Sequence, residues 1–351
     1  MRAMTVAAIS IALFVCVPGP VGAIPGEPTE PVPARALSAA QPAPNGSRLI
    51  SAVQGKGRVV DLTVHSAAMG RPITVAVLPP ADPARPAPVL YLLNGVDGGT
   101  DDGQWPNGSN WLTKTDAAQF FSDKQVTVVI LMGGAGSFYA DWLADDPVMG
   151  RQRWTTFLTE ELPPIVDSAF GGTGANAVAG LSMAAGAGFR LALAAPGLYR
   201  AVGSYSGCIR TSDARGQAMV GAVVAARAGN ASNMWGPPTH AAWAENDPYL
   251  HAEQLRGTAI YVSTGNGLPG PLDTLSGPGI HGNPIKLADQ LLIGGVLDAV
   301  TVHCTRQLRD RFAELAIPAT FDMRPAGTHS WGYWEQDLHA SWPLFAAALG
   351  E

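Results

Sequence analysis

The stretch at 177–186 constrains the fold of this chain more than any other. An apolar run ends in a serine between small residues, and helical sequence rich in alanine begins at once. A strand joined to a helix through one serine needs a sharp, strained turn, for which Gly180 and Ala184 leave room. The hydroxyl of Ser182 would then project above the sheet, and the amide of Met183 would face a developing negative charge. A serine in a buried Ala/Gly-rich helix is the alternative.

Continuous apolar runs alternate with stretches of helical sequence along the chain. The runs predict strands buried on both faces, at 89–93, 126–132, 175–179, 201–206, 258–264 and 319–324. The helical stretches lie at 154–169, 182–195, 217–228 and 297–315. This alternation predicts an α/β fold with a mainly parallel central sheet and helices on both faces. Two segments of alternating polarity, 58–64 and 72–78, predict an antiparallel hairpin ahead of it.

The first 23 residues have the organisation of a secretory signal peptide. An apolar core follows Arg2, and small residues lead to a cleavage site after Ala23. The core is too short to span a membrane, and lipid attachment at Cys16 is an alternative that the preceding valine disfavours. Residues 24–46 are rich in proline and alanine and predict a disordered linker, which leaves 47–351 as a single domain. We expect an exported protein, secreted or held at the cell envelope, with no transmembrane segment in the mature chain.

The charge balance limits the classes of partner. The chain carries a formal net charge of −6 and only 14% charged residues. Nucleic acid or an anionic membrane surface would call for a basic face, so neither is expected as a partner. Neutral or amphiphilic substrates fit this composition better. No cluster of His, Cys and Asp has the spacing of metal ligands, so we expect no metal and no cofactor.

Two cysteines, Cys208 and Cys304, remain after removal of the signal peptide. An even pair in an oxidising compartment favours a disulfide, and two unlinked buried thiols are the alternative. The loop that it would close is long, so the chain-entropy model allows a stabilisation of about 4 to 5 kcal/mol at most.

A nucleophilic serine needs a base and an orienting acid, which in this kind of fold follow it along the chain. His329 comes directly after the last predicted strand, in the sequence Gly-Thr-His-Ser-Trp. A loop in that place can bring a histidine back over the sheet, although an ordinary loop histidine is the alternative. His303 and His339 fall in helical patterns, where surface or core roles are expected instead.

A series of short motifs extends across roughly residues 50–345. They include Tyr-Leu-Leu-Asn-Gly, Ser-Phe-Tyr-Ala-Asp-Trp, Gly-Leu-Ser-Met-Ala and Gly-Thr-His-Ser-Trp-Gly-Tyr-Trp, at 91–95, 137–142, 180–184 and 327–334. In this order they resemble the antigen 85 family, the secreted mycolyltransferases of mycobacteria. The resemblance implies an α/β-hydrolase fold and a Ser/His/carboxylate triad that transfers a long-chain acyl group, typically mycolate. Ser182 matches the nucleophile of the family and His329 matches its base.

The acid of the triad is less well defined by the resemblance. The family has a glutamate about thirty residues before the histidine, after an aliphatic residue, and this chain has Asp298 there. An aspartate can orient an imidazole as well as a glutamate can. Asp273, in the long Gly/Pro-rich loop at 265–283, and Asp289, just after it, are the rival acids.

Other expected site residues follow from the same resemblance. The oxyanion hole should combine the amides of Met183 and Val96. The family loop Asp-Gly-Leu-Arg contacts substrate sugars, and here it is Asn-Gly-Val-Asp from Asn94 onward, which reverses the local polarity. Ser204 and Trp331 match sugar-contacting positions, so Asn94, Ser204 and Trp331 are the expected substrate-binding residues.

Together these observations predict a serine acyltransferase. Its acyl donor would be an acyl-trehalose or similar ester, and its acceptor a sugar or cell-envelope hydroxyl. A carboxylesterase on the same scaffold, with water as the acceptor, is the first alternative. A non-catalytic envelope-binding protein with a vestigial triad is the second.

Overall fold

Nine β-strands form one sheet within residues 31–100 and 108–351, the parts of the chain that the computed structural model describes. In chain order they are β1 (Arg48–Gln54), β2 (Val60–Ser66), β3 (Arg71–Leu78), β4 (Ala87–Leu93), β5 (Thr127–Met132), β6 (Gly172–Leu181), β7 (Tyr199–Tyr205), β8 (Ala259–Thr264) and β9 (Thr320–Met323). Across the sheet the order is β1-β2-β3-β5-β4-β6-β7-β8-β9. From β5 to β9 in this order all neighbours are parallel, which confirms the predicted mainly parallel sheet.

The remaining strands add an antiparallel part at one edge. Strands β2 and β3 pair antiparallel, as the predicted hairpin requires, and β3 pairs antiparallel with β5. Strand β1 pairs antiparallel with β2 and was not predicted. Most of its residues are half-buried or exposed, so its sequence lacks the apolar signal of the central strands.

Helices lie between the parallel strands, with α1 ahead of the sheet and α12 after its last strand. They are α1 (Val32–Ala39), α2 (Trp111–Lys114), α3 (Ala117–Phe120), α4 (Trp154–Thr156), α5 (Leu162–Phe170), α6 (Ala187–Ala194), α7 (Ala214–Ala225), α8 (Ala231–Trp235), α9 (Ala242–Glu245), α10 (Pro284–Asp289), α11 (Gly295–Glu314) and α12 (Trp331–Leu349). Two π-helical segments, Phe157–Glu161 and Gln290–Gly294, join α4 to α5 and α10 to α11. Short 3₁₀ helices lie at Ser182–Ala184 and Ala252–Leu255.

The hydrophobic core lies on both sides of the sheet. Along β4, Tyr91 belongs to one cluster of buried side chains, whereas Leu90 and Leu92 belong to the other. The first cluster includes side chains of α5, α6 and α11, and the second includes side chains of α12. Every residue of β4 and β5 is buried, as expected for strands covered on both faces. The helices on both faces therefore confirm the predicted layering.

The predicted disordered linker at 24–46 is wrong for its second half. Residues Val32–Ala39 form α1, which buries Ala36 and packs against β1 and α5. Further on, the Asn45 side-chain amide donates a hydrogen bond of 2.6 Å to the buried Glu161 carboxylate. A proline in the first turn followed by alanines suits a helix start, so proline and alanine content alone misled the prediction.

The N-terminal predictions before this point concern residues that are not described. The predicted signal peptide, 1–23, and residues 24–30 lie outside the described ranges. The compact unit that contains the sheet extends from Val32 to Glu351. In the described parts of the chain, no helix is both long and apolar enough to cross a membrane.

A disulfide links the end of the sheet to a helix. Cys208, three residues after β7, is bonded to Cys304 in α11, with a sequence separation of 96 and a Cα–Cα distance of 5.0 Å. The predicted pairing is therefore confirmed. The bond joins α11 covalently to the carboxyl edge of the sheet.

Candidate active site

The turn after β6 has the geometry expected of a serine elbow. Ser182 directly follows the strand and has a φ of 54°, in the left-handed region that few residues other than glycine adopt. A Cβ atom added at Gly180 would lie 2.4 Å from the carbonyl oxygen of Ala184, so the turn closes too tightly for a side chain there. The small residues around Ser182 are thus a physical requirement of the turn.

Three side chains form a continuous hydrogen-bonded chain at this turn. Ser182 Oγ lies 2.8 Å from His329 Nε2, and His329 Nδ1 lies 2.8 Å from Asp298 Oδ1. The histidine side chain is 8% exposed and the aspartate is fully buried. A hydroxyl, an imidazole and a carboxylate in this order can generate a serine nucleophile, because the imidazole accepts the hydroxyl proton while the carboxylate fixes its orientation.

The carboxylate of Asp298 is held from several sides. Its Oδ2 accepts a hydrogen bond of 3.0 Å from the Gly265 amide and one of 3.4 Å from Ser206 Oγ. Its Oδ1 accepts one of 3.2 Å from Thr301 Oγ1, one turn further along α11. Because these donors come from three elements, the carboxylate can take only a narrow range of orientations toward His329.

Neither rival acid contacts the histidine ring. Asp273 accepts hydrogen bonds from Thr328 Oγ1 at 2.5 Å, from Tyr333 Oη at 2.9 Å and from the Gly270 amide at 2.7 Å. It thereby links the long loop to the residue before His329. Asp289 lies exposed on α10, at the rim of a cleft that is described below.

His329 is positioned through its backbone and its ring. Its amide donates a hydrogen bond of 3.1 Å to the Gly294 carbonyl, at the end of the π-helical segment before α11. Its ring makes an edge contact with Trp334, with centroids 4.8 Å apart and an interplanar angle of 88°. The His329 ring is therefore fixed relative to both α11 and α12.

The loop after β4 passes beside the nucleophile. A Cβ atom added at Gly95 would lie 3.9 Å from Ser182 Oγ. The Val96 carbonyl accepts a hydrogen bond of 3.0 Å from the Gly136 amide, which fixes the loop. Met183 lies in the first turn of the 3₁₀ helix, where amides have no intrahelical acceptor. Both backbone segments predicted to form an oxyanion hole thus lie next to Ser182.

Comparisons with known proteins agree with this geometry. The model of the family described as putative esterase matches residues 66–345. The diacylglycerol acyltransferase/mycolyltransferase Ag85A of Mycobacterium tuberculosis is 33% identical, over 82% of this chain and 81% of that protein. The corresponding Ag85B of Mycobacterium leprae is 32% identical, over 85% of this chain and 86% of that protein.

The chain belongs to the antigen 85 family.

Solved structures support the same fold. The structure of Mycobacterium tuberculosis MPT51 (FbpC1) superposes with a TM-score of 0.66 at 24% identity, covering 85% of this chain and 100% of that one. An S-formylglutathione hydrolase from Agrobacterium tumefaciens superposes with a TM-score of 0.57 at 18% identity, covering 86% and 99%. The fold is therefore the α/β-hydrolase fold that the antigen 85 resemblance implied.

A cleft of about 820 Å³ opens beside the proposed antigen 85-type triad. Val96, Ile293, Leu297, His329 and Trp331 line it. The charged residues Lys114, Lys286 and Asp289 also line this cleft. Both apolar and charged side chains therefore line the cleft, as an amphiphilic substrate requires.

Two of the three predicted substrate-binding residues do not line this cleft. Trp331 does, but Asn94 is fully buried and its side-chain amide donates a hydrogen bond of 2.6 Å to the Leu131 carbonyl. Ser204 is 1% exposed within β7. A sugar-binding role for Asn94 and Ser204 does not fit these positions, because both side chains are enclosed by the fold.

The last residue of the altered loop has a partner of opposite charge. Asp97 forms an ion pair with Arg227, and the two side chains are 41% and 36% exposed. Where the antigen 85 loop carries an arginine, this chain thus has an aspartate held by an arginine from the segment after α7. The loop therefore carries a negative charge where the antigen 85 loop carries a positive one, and Arg227, which lies outside the loop, balances that charge.

Sequence reasoning missed the residues that hold the side chains of Asp298 and His329 in place. Ser206, Gly265 and Thr301 donate to Asp298, and Gly294 and Trp334 hold His329. Ser206 and Gly265 each directly follow a strand. Polar or small residues at such positions were an available signal, since the carboxyl ends of parallel strands share one edge of the sheet.

Among the described residues, no group of three His, Cys, Asp or Glu could hold a metal ion.

Proposed function

We propose that this protein is an exported serine acyltransferase of the antigen 85 type. It moves a mycolyl or other long-chain acyl group from an acyl-trehalose-type ester to a sugar or cell-envelope hydroxyl. The observation that carries the proposal is the unbroken hydrogen-bonded chain from Ser182 through His329 to Asp298. The names of the acyltransferase relatives support the reaction class.

In the first half of the reaction, Ser182 Oγ attacks the ester carbonyl carbon while His329 Nε2 takes the hydroxyl proton. The carbonyl oxygen becomes an oxyanion that the amides of Val96 and Met183 stabilise. His329 then gives its proton to the departing sugar oxygen as the carbon–oxygen bond of the donor breaks. An acyl-Ser182 ester and a free sugar hydroxyl result.

The second half repeats these steps with a new nucleophile. An acceptor hydroxyl loses its proton to His329 Nε2 and attacks the acyl carbon, and Ser182 leaves with the proton that His329 returns. Asp298 stabilises the imidazolium that forms in each half-reaction. The exclusion of water from the cleft decides whether a sugar or water becomes the acceptor.

A carboxylesterase is the second candidate function. The loop from Asn94 to Asp97 differs from the antigen 85 loop at the residues that contact sugar, and Asn94 is buried. A weakened sugar site would let water compete for the acyl-enzyme. Both candidates use the same triad, so only the products distinguish them.

A product-partition experiment tests the proposal. The purified protein receives a long-chain acyl ester donor with and without trehalose, and mass spectrometry follows the acyl group. We expect acyl-trehalose to exceed free acid when trehalose is present, and Ser182→Ala to form neither product. Free acid as the main product with every sugar offered would establish the esterase instead. A folded protein whose Ser182 does not react with a fluorophosphonate probe would leave only the non-catalytic, envelope-binding function.

A further inference from the structure

An exposed aliphatic surface lies between α10 and the first turns of α11. It consists of six side chains, which we call the aliphatic ridge: Ile285, Leu292, Ile293, Val296, Leu297 and Val300. They are 79%, 67%, 59%, 65%, 44% and 48% exposed. Elsewhere in the described chain, large exposed hydrophobic side chains are scattered singly or in pairs. A single exposed side chain needs no explanation, whereas a contiguous apolar patch marks an interaction surface.

The ridge is nearly free of charge. Between residues 285 and 300 the exposed charged side chains are Lys286 and Asp289, whose charges are opposite, and Asp298 is buried. The chain as a whole has a net charge of −6. A surface of this kind would not be attracted to an anionic partner, so its binding would depend on apolar contact.

The ridge is continuous with the proposed catalytic site. Ile293 and Leu297 belong to the ridge and also line the cleft that contains His329. On the inner side of the same turns, the Gly294 carbonyl accepts the His329 amide, and Asp298 contacts the His329 ring. One helical segment thus presents aliphatic side chains outward and carries catalytic groups inward, at the mouth of the cleft.

The geometry points to docking of the aliphatic ridge on the uncharged surface of a lipid assembly, with the cleft mouth held at the boundary between acyl chains and water. This inference rests on the proposed function, in which the donor is a long-chain ester. Such a donor resides in aggregates or lipid layers because its transfer into water is unfavourable. Apolar side chains at the rim would let the ester reach Ser182 without crossing bulk water.

The test compares matched variants in a Ser182→Ala background, which prevents turnover. The ridge variant carries Ile285→Gln, Leu292→Gln and Val296→Thr, which are ridge positions outside the cleft lining. The control variant carries Ile50→Gln, Val53→Thr and Leu143→Gln, whose side chains are 49%, 54% and 54% exposed elsewhere on the molecule. Flotation with phosphatidylcholine vesicles measures binding. We expect the ridge variant to bind about 10- to 100-fold more weakly than the control variant.

A second measurement uses the same substitutions with Ser182 intact. Turnover of a short-chain, water-soluble ester should be unchanged, while turnover of a long-chain ester embedded in vesicles should fall with the loss of binding. Equal flotation of the two variants would overturn the docking inference. So would binding that appears only with anionic vesicles, or a wild-type dimer that the ridge variant dissociates while vesicle binding stays the same. Ridge-dependent flotation by a wild-type protein that turns over no ester would refute the proposed function and leave the docking in place.

Discussion

The three proposed catalytic side chains are held in place by different means. Ser182 is fixed by a strained backbone, at a φ of 54° that the neighbouring small residues permit. His329 is fixed by its backbone amide and by the Trp334 ring, and Asp298 by hydrogen bonds from three elements. Since each support is separate, substitutions can test the side chains one at a time.

Separate substitutions of the two buried aspartates, Asp298 and Asp273, test which of them is the acid of the proposed triad. Asp298→Asn keeps the size of the side chain but disrupts its pairing with His329 Nδ1, so we expect turnover of a soluble ester to fall by about 10⁴. Asp273→Asn alters contacts with Thr328, Tyr333 and the loop but none with the His329 ring, so its effect should be about tenfold, with an unchanged pH profile. Steady-state kinetics of both variants provides the measurement. A larger loss for Asp273→Asn would transfer the role to that residue.

The loop beside the nucleophile can be tested at Gly95. A Cβ atom there would lie 2.9 Å from Leu181 Cδ1 and 3.9 Å from Ser182 Oγ, so either the buried Leu181 side chain or the loop that carries the Val96 amide must shift. We expect Gly95→Ala to lower kcat by roughly tenfold or more while leaving KM nearly the same, because the oxyanion contact forms only in the transition state. Gly221→Ala on α7 is the control, since its Cβ would meet nothing within 4 Å. Equal kcat values for Gly95→Ala and the wild type would contradict this expectation.

At the scale of elements, α11 carries three separate functions. It presents Asp298 to His329, bonds through Cys304 to Cys208 beyond the end of β7, and exposes the last three residues of the aliphatic ridge, Val296, Leu297 and Val300. The disulfide and the hydrogen bonds to Asp298 lie within two turns of each other. The position of the acid therefore depends on how firmly this helix is attached to the sheet.

Removal of the disulfide should destabilise the protein. With Cys208→Ser and Cys304→Ser we expect a decrease in the free energy of unfolding of about 2 to 5 kcal/mol, because the unfolded chain regains the freedom of a long loop. Urea denaturation of the wild type, with and without reductant, provides the comparison. Reduced wild-type protein should match the double variant, and stability that is unaffected in both would contradict the expectation.

The buried carboxyl of Asp337 in α12 predicts a pH dependence of stability. Burial raises the pKa of Asp337 to about 7, although its ion pair with Arg324 opposes the change. The folded protein then binds a proton that the unfolded chain releases near pH 4, so this contribution is complete below pH 4 and is lost as the pH rises through 7. The midpoint of urea denaturation should fall from about pH 4 to about pH 7 more steeply for the wild type than for Asp337→Asn. Parallel profiles would contradict this.

The sequence predicted the uniformly buried central strands and the edge strand β9, but it missed β1 at the other edge. The apolar runs of β4 and β5 are buried at every residue, so their pattern was clear. Strand β1 is exposed along much of its length and gave no signal. Motifs pointed to the three side chains that the structure joins by hydrogen bonds, Ser182, His329 and Asp298, whereas the burial of Asn94 and Ser204 could not be foreseen. A position near the end of a strand indicates which edge a residue lies on but not whether its side chain faces the cleft.

At the scale of the whole molecule, the segment from Val32 to residue 46 belongs to the domain. Helix α1 packs against β1 and α5, and Asn45 donates to the buried Glu161, which also accepts hydrogen bonds from Ser66 and the Ala68 amide. Glu161 thus joins the N-terminal segment, the hairpin and the π-helical segment. The domain boundary lies earlier in the chain than its proline content indicated.

Two truncated proteins test this boundary. A protein that begins at residue 47 loses α1 and the Asn45 contact, so we expect its melting temperature to fall by roughly 5 °C or more relative to one that begins at residue 31. Differential scanning calorimetry measures the difference. Equal melting temperatures would show that residues 32–46 are a linker that does not stabilise the domain.

The separation of Ser182 and His329 along the chain affects the protein during its synthesis. The two residues are 147 positions apart, with the serine first. At a translation rate of about 5 to 20 residues per second, the serine leaves the ribosome about 7 to 30 s before the histidine. Throughout that interval the nascent chain lacks the base that the proposed mechanism requires. The proposed activity therefore becomes possible only after nearly the whole chain has been made.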